Sequence, residues 1–195
     1  MRTYATAQLI GDRTHQCDVT AVATAPSGAR AYVLLDGIGS SDTVRDWTCN
    51  AARRLARTAA RRGHAEAGLR AVYNRLTSDH NLRRIYPPRD GSPGGNRNII
   101  TSCLGATETD EENRNQYGHP AIETAVCHAD TFRLLLASDG AYEPHEDAGH
   151  HLADQLIGTP GEAARHFVDT AVATARAAIN PHADNATVLI ADIRR

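Results

Sequence analysis

Three short apolar runs, each carrying an aspartate at one end, constrain this chain more than any other feature. Leu134-Leu135-Leu136-Ala137 passes through Ser138 into Asp139-Gly140, Ala31-Tyr32-Val33-Leu34-Leu35 runs into Asp36-Gly37, and Asp184-Asn185 opens Ala186-Thr187-Val188-Leu189-Ile190. Runs of this length, rich in Val, Leu and Ile and bounded by Asp, Asn and Gly, read as buried strands. Taken singly, an Asp-Gly after such a run is a turn. Repetition adds a second reading. Asp184 precedes its strand, so an antiparallel neighbour would bring it to the same edge as Asp36 and Asp139. With the strands side by side and those ends together, three carboxylates converge where the sheet meets solvent. Such a cluster repels itself unless a cation sits in it. Aspartate oxygens with no nearby His or Cys suit Mg²⁺ or Mn²⁺ rather than zinc.

At 195 residues the chain is long enough to bury a core of its own, and its whole length reads as a single domain, 1–195. A formal net charge of −2 lacks the strong field expected of a nucleic-acid or membrane binder, so neither is predicted as a partner. All 21 basic residues are arginine, which excludes Schiff-base chemistry and a Walker-type phosphate loop. Aromatics are few and alanine abundant, so the core should be aliphatic. Cys17, Cys49, Cys103 and Cys127 are widely spaced with no Cys-x-x-Cys pair, which fits reduced thiols in a cytoplasm better than a disulfide framework or a zinc ribbon. The first residues lack a long apolar stretch, and no run reaches the ~20 apolar residues of a membrane span. The expected location is cytoplasmic.

Tyr4 to Leu9 and Val19 to Thr24 read as strands, and Pro26-Ser27-Gly28 makes a hairpin-like connection into the Ala31–Leu35 strand. A helix should start at Ser41 or Asp42, bury a stripe of Val44, Trp47, Ala51, Leu55 and Ala59, and end at Gly63. Gly68 to Leu76 is ambiguous, with a short strand through Ala71-Val72-Tyr73 as one option. Pro87 to Asn98 and Asp110 to Gln116 read as polar loops, and Ile122, Thr124 and Val126 alternate as a strand. Thr159-Pro160-Gly161-Glu162 has the form of a capping box. The helix it starts buries Ala164, Phe167, Val168, Ala171, Val172 and Ala175 and stops at Asn180-Pro181. Strands, helix, strands, helix and strand with hairpin-length connections make an α+β arrangement, mainly antiparallel and covered by helices.

Val33-Leu34-Leu35-Asp36-Gly37-Ile38-Gly39, Leu135-Leu136-Ala137-Ser138-Asp139-Gly140 and Asp184-Asn185-Ala186-Thr187-Val188 resemble, in that order, three signature motifs of the metal-dependent protein phosphatases of the type 2C family. Arg13 followed by Cys17-Asp18 is similar to the family's N-terminal Arg and acidic pair. Thr77-Ser78-Asp79-His80 and Ile100-Thr101-Ser102-Cys103-Leu104-Gly105 resemble two weaker segments. The resemblance implies a four-layer α-β-β-α sandwich with two metal ions, Mn²⁺ or Mg²⁺, in a cleft at one end. It implies that Asp36 bridges the ions, that Asp139 and Asp184 complete one site, and that the Gly37 carbonyl and Asp18 serve the other. Arg13 would hold the phosphate of a phosphorylated protein substrate. Two ions about 3.5–4 Å apart lower the pKa of a water between them and neutralise phosphoryl oxygens. Hydrolysis of phosphoserine and phosphothreonine then needs no side-chain nucleophile.

The chain departs from that pattern at Cys17, where many members have a glutamate ligand, and at Ile38, where some have a histidine. It also lacks the family's central strands and one further helix, with Gly68 in the slot of a third-metal aspartate. Loss of central strands exposes edges and apolar surface. The sequence therefore predicts either a homodimer that covers them or a domain of reduced stability. Three rival readings come from other classes. Cys127 to Arg133 matches the Cys-x5-Arg spacing of cysteine-dependent phosphatases, against a context unsuited to a phosphate cradle. His145, His150 and His151 could bind a transition metal or form a solvated loop. Cys17, Gly68 and the shortened middle favour a phosphatase-like binding or regulatory module that has lost turnover.

Overall fold

In the computed structural model, β5 (Ala186–Arg194) runs between β1 (Tyr4–Leu9) and β4 (Thr131–Ala137), antiparallel to both. A second sheet is the hairpin of β2 (Val19–Thr24) and β3 (Arg30–Leu35). Five helices accompany them among the described residues: α1 (Asp42–Arg62), α2 (Leu82–Ile85), α3 (Asp110–Tyr117), α4 (Asp139–Asp147) and α5 (Pro160–Ala177), with a single 3₁₀ turn at Leu152–Gln155. The structure describes residues 4–62, 81–101, 103, 108–120 and 130–194. The expected strands at Ala71–Tyr73 and Ile122–Val126, and the Thr77–His80 segment, lie outside the described residues. Among the described residues the architecture is mixed α and β with small antiparallel sheets and no closed barrel. Among the described residues no helix is long and apolar enough to cross a membrane.

The chain forms two compact units, one of residues Met1–Tyr73 with Cys127–Arg195 and one of Asn74–Val126. In the first, six consecutive residues of β5, Ala186 to Ala191, are buried, as a strand covered on both faces must be. Ala186, Val188 and Ile190 pack with Phe167, Val168 and Val172 of α5 and with Ala141 of α4. Period-two alternation turns Thr187 and Leu189 the other way, where β2 and β3 touch β5. Gln8 on β1 ties the two sheets together, its amide donating to the Asp18 carbonyl at 2.9 Å and to Thr187 Oγ1 at 3.2 Å. The core is aliphatic as composition predicts, with Phe167 as its one fully buried Phe, Tyr or Trp among the described residues.

α1 packs on β2 and β3, but not by the expected stripe. Its buried face is Thr48, Ala52, Ala56 and Ala60, one step along from the larger residues, and Trp47 and Leu55 are 51% and 38% exposed. Small side chains let the helix approach the hairpin closely, and Thr48 satisfies its hydroxyl by donating to the Val44 carbonyl at 2.8 Å. α5 begins as its capping box requires: Thr159 Oγ1 accepts from the Glu162 amide at 3.3 Å while Glu162 Oε2 accepts from the Thr159 amide at 2.9 Å. It ends at Ala177, short of Asn180. Thr159→Ala should cost about 1 kcal/mol, read as a melting temperature lower by about 2–4 °C.

In the second unit, Asp110 to Gln116 is helical rather than a loop. α3 is polar on every side, so no apolar period betrays it. A second capping box, Thr109 with Glu112, and Gly118 in a left-handed cap hold its ends. His119 is buried beside it and shares a hydrogen bond with Thr101 Oγ1 at 3.1 Å.

Candidate functional site

Strand register determines where the acids go. Val19 pairs with Leu35 at one end of the hairpin, so Asp18 and Asp36 stand one residue beyond it on adjacent strands. Ala137 pairs with Val188, so Ser138 and Asp139 leave β4 beside the entry to β5 at Asp184-Asn185. The acid-bearing strands are therefore not one sheet. Asp139 and Asp184 come from the three-stranded sheet, whereas Asp36 arrives from the hairpin with Asp18. Asp139 does not sit in a turn either, since it opens α4 behind Ser138.

A set of buried polar contacts holds these ends together. The Asn185 side chain accepts from the Cys17 amide at 2.8 Å and donates to the Ile10 carbonyl at 2.9 Å, binding the 10–17 loop to β5. Ser138 Oγ donates to the Asn185 carbonyl at 3.3 Å and accepts from the Thr187 amide at 3.1 Å. Asp12 accepts from the Ala183 amide at 2.9 Å and from Arg176 of α5 at 2.8 Å, and these two bonds hold its carboxyl below the ordinary carboxylate range. Gly37 fits against Cys17, where a Cβ would lie 2.5 Å from the Cys17 carbonyl oxygen. Sequence reasoning saw Asn185 and Ser138 only as neighbours of acids and gave Asp12 no role in the site. Their signal was present as short polar residues flanking apolar runs, but their partners are remote in sequence.

The result is an acidic cluster under strain. Asp18 is 2% exposed and its Oδ2 has no hydrogen-bond partner. Loss of hydration is the main reason its pKa is pushed up to about 6, and the charge of Asp139 adds to it against the neighbouring polar side chains of Ser138, Thr187 and Asp36. Asp36 is surface-exposed, yet protein crowds its carboxyl; lost hydration first, then repulsion from Asp18 and Asp139, push it up to about 9. Asp139 is exposed, and its Oδ1 accepts from the Gly140 amide at 2.6 Å. Arg13 spans Asp184 with Nε at 2.7 Å and Nη2 at 2.5 Å. That bond holds the guanidinium strongly protonated, and the charges of Asp139 and Asp36 reinforce it.

Arg13, Asp18, Asp36, Asp139 and Asp184 thus gather in one region, with Gly37 next to Asp36. Among the described residues, no three or more His, Cys, Asp or Glu side chains are already grouped to hold a metal ion, and Asp184 faces Arg13. The donor set nevertheless fits a hard cation. It is all oxygen, it carries more negative charge than Arg13 balances, and it includes a buried carboxylate oxygen with no other partner.

The rival sites fare differently. Arg133 is committed to Asp192, with Nε at 2.6 Å and Nη2 at 2.8 Å, and to the Leu156 and Gly158 carbonyls at 2.6 and 2.8 Å. No fork of Arg133 is left for a phosphate, and Cys127 lies outside the described residues. The solvated-loop reading of the histidines is corrected at His145, which is fully buried in α4 with Nε2 3.0 Å from the Phe167 carbonyl. Cys17 is also buried, and its Sγ lies 3.8 Å from the Ser41 carbonyl at the approach to α1. No protein-family model and no curated protein matches the chain.

Proposed function

We propose that this chain is a metal-dependent protein phosphatase acting on phosphoserine and phosphothreonine, arranged as an α-β-β-α sandwich of the type 2C kind. The layers of that reading are α1, the β2–β3 hairpin, the β1–β5–β4 sheet and α5, and the contacts of α1 with the hairpin, the hairpin with β5, and α5 with β1 and β5 support their order. One observation carries the function. Asp18, Asp36 and Asp139 are crowded together with one buried oxygen unpartnered, beside an arginine, at a cost that a bound cation offsets.

Asp36 would bridge two Mn²⁺ or Mg²⁺ ions, Asp139 and Asp184 would complete one site, and Asp18 and the Gly37 carbonyl the other. When bound, such ions supply a water of lowered pKa and neutralise charge on the phosphoryl oxygens. Arg13 offers phosphate the same planar fork that it offers Asp184. The buried Asn185 and Ser138 contacts fix the backbone from which the acids project. Free thiols at Cys17, Cys49 and Cys103 support action in the cytoplasm.

Hydrolysis of a phosphothreonine peptide and of an aryl phosphate should depend on Mn²⁺ and fall about a hundredfold or more in Asp139→Asn. Equal rates for the two proteins would defeat the proposal. A binding module without turnover is the second reading, favoured by the two hydrogen bonds of Arg13 to Asp184 and by the Cys17 side chain pointing toward Ser41. It predicts that a phosphopeptide binds and is recovered intact.

A further inference from the structure

We propose that His145 and His150 form a separate site for a borderline divalent transition ion such as Zn²⁺, at the C-terminal end of α4. The backbone builds the pair. α4 ends in a Schellman turn: Gly149 takes a left-handed φ of 72°, the His150 amide donates to the His145 carbonyl at 2.8 Å, and the Gly149 amide donates to the Glu146 carbonyl at 3.0 Å. That turn brings the side chains of its third-last helical residue and the residue after the glycine into contact. In most proteins the two are apolar. Here both are imidazoles, with ring centroids 5.6 Å apart.

The tautomer of the buried member follows from its partner. The Phe167 carbonyl can only accept, so His145 Nε2, at 3.0 Å, is the protonated nitrogen and Nδ1 of the neutral ring carries the free lone pair. Burial lowers the His145 pKa, and nearby His150 and His166 add to that, so the neutral form persists at pH 7. An imidazole whose second nitrogen donates to a backbone carbonyl is the usual support of a metal-ligating histidine.

The two Nδ1 atoms are 3.4 Å apart. This is long for a nitrogen-to-nitrogen hydrogen bond. It matches the separation of two nitrogens each about 2.0–2.1 Å from one tetrahedral ion, which is about 3.3–3.4 Å. His150 is exposed and His145 is fully buried, so an ion reaches the pair from the His150 side. The site shares no residue with the carboxylate cluster and stands whether or not the phosphatase reading does.

Isothermal titration of the full chain with Zn²⁺ alone should include a binding event that persists in Asp36→Asn and weakens about tenfold or more in His150→Ala. Because His150 is exposed, its removal spares the core. In ¹⁵N spectra of the histidine rings, Zn²⁺ should move the Nδ1 resonances of His145 and His150. Undiminished zinc affinity in His150→Ala, or Nδ1 signals of this pair that zinc leaves in place, overturns the site and leaves a hydrogen bond from His150 to His145.

Discussion

Gly140→Ala is expected to destabilise the protein by about 2–3 kcal/mol, to lower its melting temperature by roughly 4–12 °C, and to abolish any activity of the acidic site. A Cβ at this position would lie 2.3 Å from the Asn185 carbonyl oxygen and 2.9 Å from the Asp184 Cβ. Both neighbours belong to the segment that enters β5, which is buried on both faces and cannot yield. The first turn of α4 must move instead, and Asp139 moves with it. Gly161→Ala is the matched control: its added carbon meets nothing closer than Ala5 Cβ at 3.9 Å, and it improves helix propensity in α5. Thermal melts in which both variants behave alike would show that the tight approach at Gly140 is not what holds the site.

The strands were the most legible part of the chain. β1 and β2 begin and end where their Thr, Val and Ala content and the flanking turn residues place them, because a strand's composition is local and its bounding Gly, Pro and Asp residues are strong stops. Helices that lack a continuous apolar stripe were harder to read. α3 is charged all round, and α4 contains Pro144 and starts within the Ser138-Asp139-Gly140 that reads as a turn, so neither shows a helical period. α1 shows the opposite error. Trp47 and Leu55 drew the predicted stripe toward themselves, although what the hairpin accepts is the row of small residues that permits close contact.

The site was legible as a set of acids and illegible as a geometry. Placing Asp139 and Asp184 at one edge followed from antiparallel pairing, since one acid follows its strand and the other precedes its own. That Asp36 would come from a different sheet depends on which sheet each strand joins, and single-strand patterns do not encode this. The engagement of Arg13 by Asp184 was also hidden, because residues 171 positions apart in the chain carry no signal of contact.

Asp36→Asn should reverse the order of stability between variant and wild type according to whether metal is present. In the wild type the Asp36 pKa is raised from 3.8 up to about 9, chiefly by lost hydration and then by Asp18 and Asp139. Above pH 3.8 the unfolded chain gives up that proton while the folded chain keeps it, so stability declines as pH rises through this window. Asparagine removes the titration and with it the repulsion from Asp18 and Asp139. Without metal at pH 7, the variant should be more stable by about 1–2 kcal/mol, the modest size reflecting the solvent access of Asp36. At an Mn²⁺ concentration of about 100 times the dissociation constant, the wild type gains about 2.7 kcal/mol. The variant, lacking the carboxylate proposed to bridge the ions, gains far less and becomes the weaker protein. Melting curves of both proteins in chelator and in Mn²⁺ read this directly. A wild type that is the more stable of the two in chelator, or that Mn²⁺ stabilises no more than the variant, would mean that Asp36 is not poised for a cation.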